Sequence, residues 1–454
     1  MVSPIRLEVQ QLRDPLEPGD QWPALGPLAG FSEVLHAVFA LSAASCPMEY
    51  PGGAREPAAI SRTRPLKRGG LQPVAARPGQ GWGPDMTSEL PPRATSKEWP
   101  ARIDPDVGIG SWAAPQDSER DFRAWRSALD MVTETMEASV EAGMEILVPW
   151  LAGLRGNLGD GDVWRQFVTN VCLRHPLWDI LQQDPLTARS FSKPRGYAGD
   201  AVMIDYIYSN AIPRLRPSGL SQLSSRLLDV DGRYPACRAV VRRCRVLAGL
   251  IDAMASEQRG FRALSLAAGH CREVELSDAM RCGSLETLVA LEQDPRSVDQ
   301  MRRDYASRGV QAEIGTVRQV LSGRHPGAGR DYHLVYAAGL FDYLQQRTAL
   351  HLATVLTRLV APGGAVVIPN FARPAGVDLG YMESYMDWRL TYRSPAQMRE
   401  LLDATSSAGL ENGRLYSHGN GGVLYAISVR GKGGVVWSLL DGLLSRVHPG
   451  LRQA

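Results

Sequence analysis

The hydrophobic positions of residues 118–258 recur every three or four residues, the spacing of one face of an α-helix. The first such stretch, "DFRAWRSALDMVTETMEASVEAGMEILVPWLAGL", is followed by "VWRQFVTNVCLRHPLWDILQQ" and "YPACRAVVRRCRVLAGLIDAMAS". Strand-like runs are scarce here, so the sequence predicts an α-helical domain over 118–258. We expect the apolar face of its first helix to be buried: Phe122, Trp125, Leu129, Val132 and Met136.

The pattern changes after residue 259, where short apolar runs alternate with helix-like segments. Candidate buried strands lie at 262–270, 285–294, 332–344 and 363–370. Strands that alternate with helices predict βαβ units and a parallel sheet with helices on both faces. The later stretch "RLYSHGNGGVLYAISVR" has two strand-like runs around a glycine-rich turn, which predicts an antiparallel hairpin.

The two ends of the chain have a different pattern. Residues 1–117 are rich in Pro, Gly and Arg without sustained periodicity, which predicts disorder. Met86 opens a stretch typical of a protein start, so we treat translation from Met86 as a hypothesis. Residues 432–454 are predicted to form a helical tail, with an apolar helix over 435–447 that docks on the core, mediates self-association or, less favourably, lies on a membrane.

Composition excludes several classes of protein. The 454 residues include 50 Lys and Arg against 48 Asp and Glu, a formal charge of +2, which does not point to a polyanionic partner such as nucleic acid. Six cysteines form no CxxC pair and eight histidines show no metal-ligand spacing, so we expect no metal site and a reduced, cytoplasmic protein. The apolar run at 34–45 is shorter than the roughly 20 residues of a membrane-spanning helix.

Two candidate strands of the sheet end in residues suited to a nucleoside. In a parallel sheet, ligands bind beyond the carboxyl ends of the strands. The first strand runs into Ala268 and Gly269, which let a ligand approach the backbone, and the second ends at Glu292, which can accept two hydrogen bonds from ribose hydroxyls. The GxGxxG fingerprint of dinucleotide sites is absent, so a nucleoside without phosphates is favoured.

The order "LSLAAGH", "VALEQDP", "AEIGTVRQVL", "DYHLVYAAGLFDYL" and "VAPGG" over residues 260–430 resembles the class I S-adenosylmethionine-dependent methyltransferases. The resemblance implies an α/β fold with a doubly wound, mostly parallel seven-stranded sheet, closed by the antiparallel hairpin. It implies S-adenosyl-L-methionine as cofactor, with Gly269 beside its methionine part and Glu292 on its ribose. The other implied cofactor contacts are Ala268, Thr316, Val317, Ala338, Gly339 and Leu340.

The segment "FSKPRGYAGDAVMIDYIY", together with "LFDYL" and "YMDWRLTYR", is similar to a bacterial subgroup of these enzymes with a helical N-terminal domain. The subgroup is broad and is similar to enzymes that make methyl esters of 3-hydroxy fatty acids. The resemblance then spans residues 118–430 and implies a small carboxylic acid as the methyl acceptor.

We interpret the loop at 193–200 as a lid over the active site. Arg195 can pair with a carboxylate, Tyr197 can pack on the sulfonium or hydrogen-bond the substrate, and Asp200 can anchor the loop or act as a base. The structural alternative is a helix-entry loop in which Asp200 caps a helix and Arg195 makes an internal ion pair.

A second candidate element follows the strand that ends at Asn370. Asn370 and Arg393 are candidate catalytic residues, and Tyr385 and Trp388 either line the pocket or simply bury one helical face. A carboxylate acceptor needs no general base. For a hydroxyl or amine the candidates are Asp200, Tyr343, Glu383 and Asp387; His270 is another, although a structural role is favoured for it.

Alternative functions remain open. The arginines of "RYPACRAVVRRCR" at 233–245 suggest RNA binding, but a solvated helix face is the better interpretation because aromatic residues are not interleaved. Cys237 and Cys244 are seven apart and are expected to be buried hydrophobes. The main prediction is a methyltransferase of a small carboxylic acid. The alternatives are methylation of a hydroxyl or amine of a secondary metabolite, and a cofactor-binding protein without turnover; the sequence leaves the oligomeric state undetermined.

Overall fold

The computed structural model describes residues 118–453 except 284, 374–375, 419–421, 432–435, 439–440 and 442–450. The disorder predicted for residues 1–117 and the proposed start at Met86 therefore lie outside the described residues. All described residues belong to one compact unit.

Residues 118–258 are helical, as predicted, and we refer to them as the helical region. Trp125, Leu129, Val132 and Met136 are buried on one face of the first helix, and Phe122 is half-buried beside them. Ser139 begins the second helix by accepting a hydrogen bond from the backbone of Ala142. The helices are α1 (Ser118–Ala138), α2 (Val140–Leu158), α3 (Asp162–Asn170), α4 (Leu177–Leu181), α5 (Pro185–Ser192), α6 (Ala201–Tyr208), α7 (Gln222–Asp231) and α8 (Pro235–Glu257).

A single sheet forms the centre of residues 259–431, which we call the sheet region. Its strands are β1 (Arg262–Leu266), β2 (Thr287–Glu292), β3 (Val310–Ile314), β4 (Tyr332–Tyr336), β5 (Val360–Phe371), β6 (Glu411–His418) and β7 (Val423–Val429). The strand β8 (Leu451–Gln453), from the end of the chain, joins the same sheet. The strand order is β3-β2-β1-β4-β5-β7-β6-β8. The pairs among β1 to β5 are parallel, whereas β7 pairs antiparallel with β5 and β6. The predicted parallel sheet closed by an antiparallel hairpin is confirmed.

Helices connect the strands and cover the sheet. Leu352, Leu356 and Leu401 pack with strand residues such as Leu264 and Val366 into one apolar core. The strands β1 and β2 are short and almost entirely buried, as expected for parallel strands covered on both faces. The connecting helices are α9 (Glu273–Leu276), α10 (Asp278–Arg281), α11 (Pro295–Tyr305), α12 (Val317–Leu321), α13 (Gln346–Thr357), α14 (Leu379–Ser384) and α15 (Pro395–Ser407).

The tail differs in part from its prediction. Of the helix expected over 435–447, the structure describes only 436–438 and 441, which are helical. The strand β8 was not predicted; it pairs antiparallel with β6 and adds an eighth strand at the sheet edge. Of the helices in the described ranges, none has the length and hydropathy needed to span a bilayer.

The helical and sheet regions are packed together through α14, which follows β5 in the chain but lies against α2. Gly380 permits this approach, because a Cβ atom there would lie 2.4 Å from the carbonyl oxygen of Leu151. Beside it, Arg155 of α2 forms an ion pair with Glu383 of α14 at 2.6 Å. The two regions that the sequence analysis divides at residue 258 are thus in close contact with each other.

Candidate active site

A cavity of about 470 Å³ lies beyond the carboxyl ends of β1, β2 and β4. The strand order reverses between β1 and β4, which is where open α/β sheets bind their ligands. The loop 193–200 and α6 form the opposite wall. Eight of the residues predicted to be catalytic or to contact the cofactor line this cavity: Arg195, Tyr197, Ala268, Gly269, Glu292, Ala338, Gly339 and Leu340. The candidate bases Tyr343 and His270 and the candidate pocket residue Trp388 line it as well.

The turn after β1 forms the floor of the cavity. Gly269 adopts the left-handed conformation with φ of 58°, and so do Ala267 at 51° and Cys271 at 52°. This conformation is disfavoured for residues with a Cβ atom. The turn therefore keeps at three alternate positions a backbone typical of glycines, although glycine stands at only one of them.

Glu292 is buried at the end of β2 and joins this strand to the turn. Its Oε2 accepts a hydrogen bond from the Gly269 backbone at 2.9 Å, and its Oε1 accepts from the backbones of Gln293 and Asp294 at 2.8 and 3.0 Å. A carboxylate has about four acceptor sites, so about one remains for a ligand. The sequence predicted two ribose hydrogen bonds; the backbone contacts leave room for one.

The loop 193–200 is fixed to the sheet region at several points. Arg195 donates from Nη1 to Ser297 Oγ at 2.7 Å and forms an ion pair with Asp294 at 3.3 Å, both at the start of α11. Lys193 pairs with Asp387. The alternative in which Arg195 makes an internal ion pair is thus what the structure contains, even though Arg195 also lines the cavity.

Gly199 brings the loop against two aromatic side chains of the sheet region. A Cβ atom at this position would lie 2.3 Å from the Tyr343 hydroxyl and 3.2 Å from the Trp388 ring. Trp388 Nε1 donates to that same hydroxyl at 2.9 Å. Although 42% of Tyr343 is exposed, local desolvation of its hydroxyl, opposed by the hydrogen bond from Trp388, raises its pKa above the usual range, so the hydroxyl stays protonated at neutral pH.

Tyr197 lines the same cavity as the Glu292 carboxylate and lies within reach of its charge. Burial, followed by the negative charge of Glu292, raises the pKa of the Tyr197 hydroxyl. A neutral phenol at this wall offers a hydrogen-bond donor and an aromatic face to a ligand.

Three other predicted residues lie outside the cavity lining and have local structural roles. Asp200 caps α6 by accepting from the backbones of Val202 and Met203, and it pairs with Arg189 at 2.8 Å. Thr316 caps α12 in a capping box with Gln319, which also places the neighbouring Val317 inside that helix. The expected positions of Asp200 as a base and of Thr316 and Val317 at the adenine are therefore not reproduced by this geometry.

Asn370 and Arg393, the other candidate catalytic residues, are buried behind the cavity wall. Arg393 is fully buried and donates to Asn370 Oδ1, Gln346 Oε1 and the backbone carbonyls of Phe341 and Leu344. Its nitrogens are thus occupied by the chain itself. Both residues lie outside the lining, and their contacts favour a structural role in holding the segment after β4 against β5.

Of the segment 381–393, two residues reach the cavity and most of the others are buried, whereas Arg389 is exposed to solvent. Trp388 and Leu390 line the cavity. Tyr381 and Tyr385 are fully buried, as expected for the amphipathic-helix alternative. Glu383 is held by Arg155, and Asp387 by Lys193, so neither is placed as a base.

His270 belongs to a buried charged cluster beneath the turn. Its Nδ1 lies 2.8 Å from Asp205 Oδ2, and Arg272 holds both oxygens of the same carboxylate at 2.7 and 2.8 Å. Although burial raises it, these partners hold the pKa of Asp205 below its usual value. The cluster fixes α6 to the turn, which fits the structural role favoured for His270.

Arg243 of α8 is the functional candidate that the sequence analysis missed. It was assigned to a solvated arginine face, but only 5% of it is exposed, and it lines the cavity beside Gly339. Its Nη1 donates to Asp342 Oδ2 at 3.0 Å. The spacing held a signal, because Arg243 falls on the same helical face as the buried Val240 and Leu247.

Glu273 is a further buried carboxyl in the lining. It accepts a hydrogen bond from the Tyr336 hydroxyl at 2.7 Å. Burial, only partly opposed by that hydrogen bond, raises the pKa of Glu273 above its usual value.

Within the described ranges, no set of three or more His, Cys, Asp or Glu side chains is arranged to hold a metal ion.

No protein-family model and no curated protein matches this sequence. Similar solved structures include a possible exported protein from Bordetella parapertussis, with 19% identity, 64% of this chain and 96% of that chain covered, and a TM-score of 0.43. The S-adenosylmethionine-dependent methyltransferase SibL, in its apo form, has 17% identity, coverages of 59% and 77%, and a TM-score of 0.34. The N-methyltransferase NodS from Bradyrhizobium japonicum, in complex with S-adenosyl-L-homocysteine, has 12% identity, covers 50% of this chain and 100% of that chain, and has a TM-score of 0.31. Since these TM-scores are low, the fold description rests on the strand order and pairing given above.

Proposed function

We propose that the protein is an S-adenosylmethionine-dependent methyltransferase of a small molecule. The observation that carries the proposal is the position of Glu292: a buried carboxylate at the end of β2, hydrogen-bonded to the turn after β1 and facing a cavity at the reversal of strand order. This is where a nucleoside ligand places its ribose in a doubly wound sheet.

The remaining lining fits the parts of such a cofactor. One free acceptor site of Glu292 suits a ribose hydroxyl. The small side chains of Ala268 and Gly269 leave room over the turn, and Ala338 to Leu340 supply the wall after β4. When bound, S-adenosylmethionine supplies an electrophilic methyl group whose bonding electron pair stays on sulfur when the methyl is transferred.

For the methyl acceptor we propose a small carboxylic acid, such as the hydroxy fatty acids suggested by the sequence resemblance. Phe371, Trp388 and Leu390 give one side of the cavity an apolar surface for an acyl chain. A carboxylate is already ionised at neutral pH, so no residue has to remove a proton. Asp200, Glu383 and Asp387 are each held in an ion pair outside the cavity lining, and the lack of a free base among them fits such an acceptor.

The chain's own residues would then chiefly orient the acceptor and exclude water. We propose that the loop 193–200 does this as a lid; the positions of Arg195, Gly196, Tyr197 and Gly199 along the cavity lining support the proposal. We propose a cytoplasmic location; the four buried thiols of Cys172, Cys237, Cys244 and Cys271, none of them in a disulfide, support a reducing compartment.

Calorimetric titration with S-adenosylmethionine and S-adenosylhomocysteine tests the proposal. We expect saturable binding at one site, weakened at least about tenfold, or about 1.4 kcal/mol, by Glu292→Gln. The matched control is Glu313→Gln on the neighbouring strand, which lies outside the cavity and should bind as the unaltered protein does. Absence of binding to both ligands by the unaltered, folded protein would contradict the proposal.

A further inference from the structure

Arg243 differs from the other buried cations of the described chain in how its donors are used. A guanidinium has five N–H donors. In Arg243, Nη1 donates to Asp342, and Nε is buried with no acceptor. Nη2 has no acceptor among the described residues, yet it is not fully enclosed, and it lies 3.2 Å from where a Cβ atom of Gly339 would be.

Arg393, which is fully buried, provides the contrast. All three of its nitrogens donate to side-chain or backbone oxygens. Arg195 likewise forms an ion pair with Asp294 and donates a hydrogen bond to Ser297. Among the cavity-lining cations, Arg272 is held by Asp205, Asp304 and Glu275.

The charge around Arg243 favours an anion. Asp342 is its one carboxylate partner in the described chain, and the same carboxylate also lies in the field of Arg393. Burial acts to lower the pKa of Arg243, but the charges of Asp342 and of nearby tyrosines outweigh it and raise the pKa, so the guanidinium is charged.

Access to Nη2 depends on the residue opposite. Gly339 follows β4, and any side chain there would sit against the guanidinium. Phe371 covers another side, with its ring centroid 5.8 Å from the guanidinium carbon. Unfilled donors on a residue that is only 5% exposed are costly, whereas a charge-assisted hydrogen bond to an anion is strong there.

We propose that Arg243 binds a carboxylate of a ligand in this cavity through Nη2, in the role that the sequence analysis assigned to Arg195. The inference rests on the proposed function, which offers two sources of a carboxylate: the amino-acid part of the cofactor, and the methyl acceptor. Gly339 serves this contact by leaving the guanidinium uncovered.

Two pairs of probes distinguish the sources by calorimetry. S-adenosylhomocysteine and 5′-methylthioadenosine share the nucleoside, but only the former has a carboxylate. Decanoate and decanol share the acyl chain, but only decanoate is charged. If Arg243 binds the cofactor, Arg243→Gln weakens S-adenosylhomocysteine at least about tenfold and spares methylthioadenosine. If it binds the acceptor, the same variant weakens decanoate and spares decanol.

Two further variants keep the test decisive if Arg243→Gln does not fold, since it leaves Asp342 buried without its cation. Arg243→Gln combined with Asp342→Asn removes both charges of the pair. Gly339→Ala keeps the pair and places a methyl group over Nη2. We expect both to reproduce the selective loss; Arg195→Gln, as the comparison, should weaken charged and uncharged probes to the same extent.

The inference would be overturned if the folded variants changed the affinity for the charged and the uncharged member of each pair by the same factor relative to the unaltered protein. Failure of the proposed function gives a different result: neither nucleoside binds the unaltered protein. In that case the decanoate pair alone decides whether Arg243 is an anion site.

Discussion

The turn after β1 holds backbone strain that single substitutions can measure. Ala267 and Cys271 both have positive φ values, flanking Gly269 at the cavity floor. The left-handed conformation costs a residue with a Cβ atom roughly 1–2 kcal/mol. Strain of this kind clusters where a ligand needs a fixed backbone, because the surrounding contacts over-determine the conformation.

We predict that Ala267→Gly stabilises the protein by about 0.5 kcal/mol. Relief of roughly 1–2 kcal/mol of strain exceeds the roughly 0.5–1 kcal/mol that glycine costs through its greater freedom in the unfolded chain. Ala268→Gly is the control: its φ is not positive, so it has only the cost and should destabilise by a similar amount. Urea unfolding of both variants measures the two signs, and equal destabilisation would show that Ala267 is not strained.

How far the sequence predicts the site depends on whether a residue's partner is local. Gly269 and Glu292 were found because their positions follow from where strands end, which periodicity shows. Arg243 was assigned to solvent because its partner, Asp342, is 99 residues away in the sequence. Asn370 and Arg393 were predicted at the cavity edge but lie buried behind its wall, because their hydrogen bonds to each other and to the backbone arise only from the tertiary fold.

At the scale of helices, two buried carboxyls join α5 to α7. Asp184 caps α5 by accepting from the Thr187 backbone at 2.7 Å, and Asp231, at the end of α7, accepts from the Thr187 hydroxyl at 3.2 Å. The Oδ1 atoms of both have no donor within the described chain. A proton shared between the two carboxyls satisfies both atoms, whereas two adjacent carboxylates would repel each other.

Burial, followed for Asp231 by the charge of Asp184, raises the pKa of both groups above the usual value. A group whose pKa is higher in the folded state contributes stability that is complete below its unfolded pKa of about 4 and is lost as the pH rises through the folded value. Folding stability should therefore fall as the pH rises from about 4 towards neutrality and beyond, by up to about 1.4 kcal/mol per pH unit for each proton.

We predict that Asp231→Asn flattens this decline. An amide keeps a hydrogen-bond donor and acceptor at the position without a charge to bury, so the gain in stability over the unaltered protein should be larger at pH 8 than at pH 5. Urea unfolding at several pH values gives the profile. Asp229→Asn, on the same helix but partly exposed, should leave the slope unchanged; parallel profiles for Asp231→Asn and the unaltered protein would refute the shared proton.

On the scale of the whole molecule, the helical region and the sheet region are joined by contacts that neither can make alone. Tyr381 of α14 shares a hydrogen bond with Thr187 of α5 at 2.9 Å, and Asp378 accepts from the Ala236 backbone at the start of α8 at 2.7 Å. The sequence predicted both regions but not this union, because the periodic pattern shows that a helix has a buried face without showing what covers it.

We predict that the two regions unfold together, so that Gly380→Ala, which disturbs the contact between them, lowers the free energy of unfolding of both regions equally. A Cβ atom 2.4 Å from the Leu151 carbonyl oxygen forces α14 away from α2, which we expect to cost about 2 kcal/mol. Hydrogen exchange read by mass spectrometry should then show the slowest amides of both α2 and β4 losing protection by the same factor, about thirtyfold.

Gly153→Ala within α2 gives the matched control, because the same substitution there meets no atom within 4 Å. Alanine is favoured over glycine in a helix by roughly 1 kcal/mol, so protection should rise, again equally in both regions. A loss confined to α2 after Gly380→Ala would instead show that the helical region opens by itself. The helical region would then be a separate domain that can move away from the cavity. The domain boundary predicted at residue 258 would in that case also be a boundary between two units that unfold independently, in spite of the close packing between them.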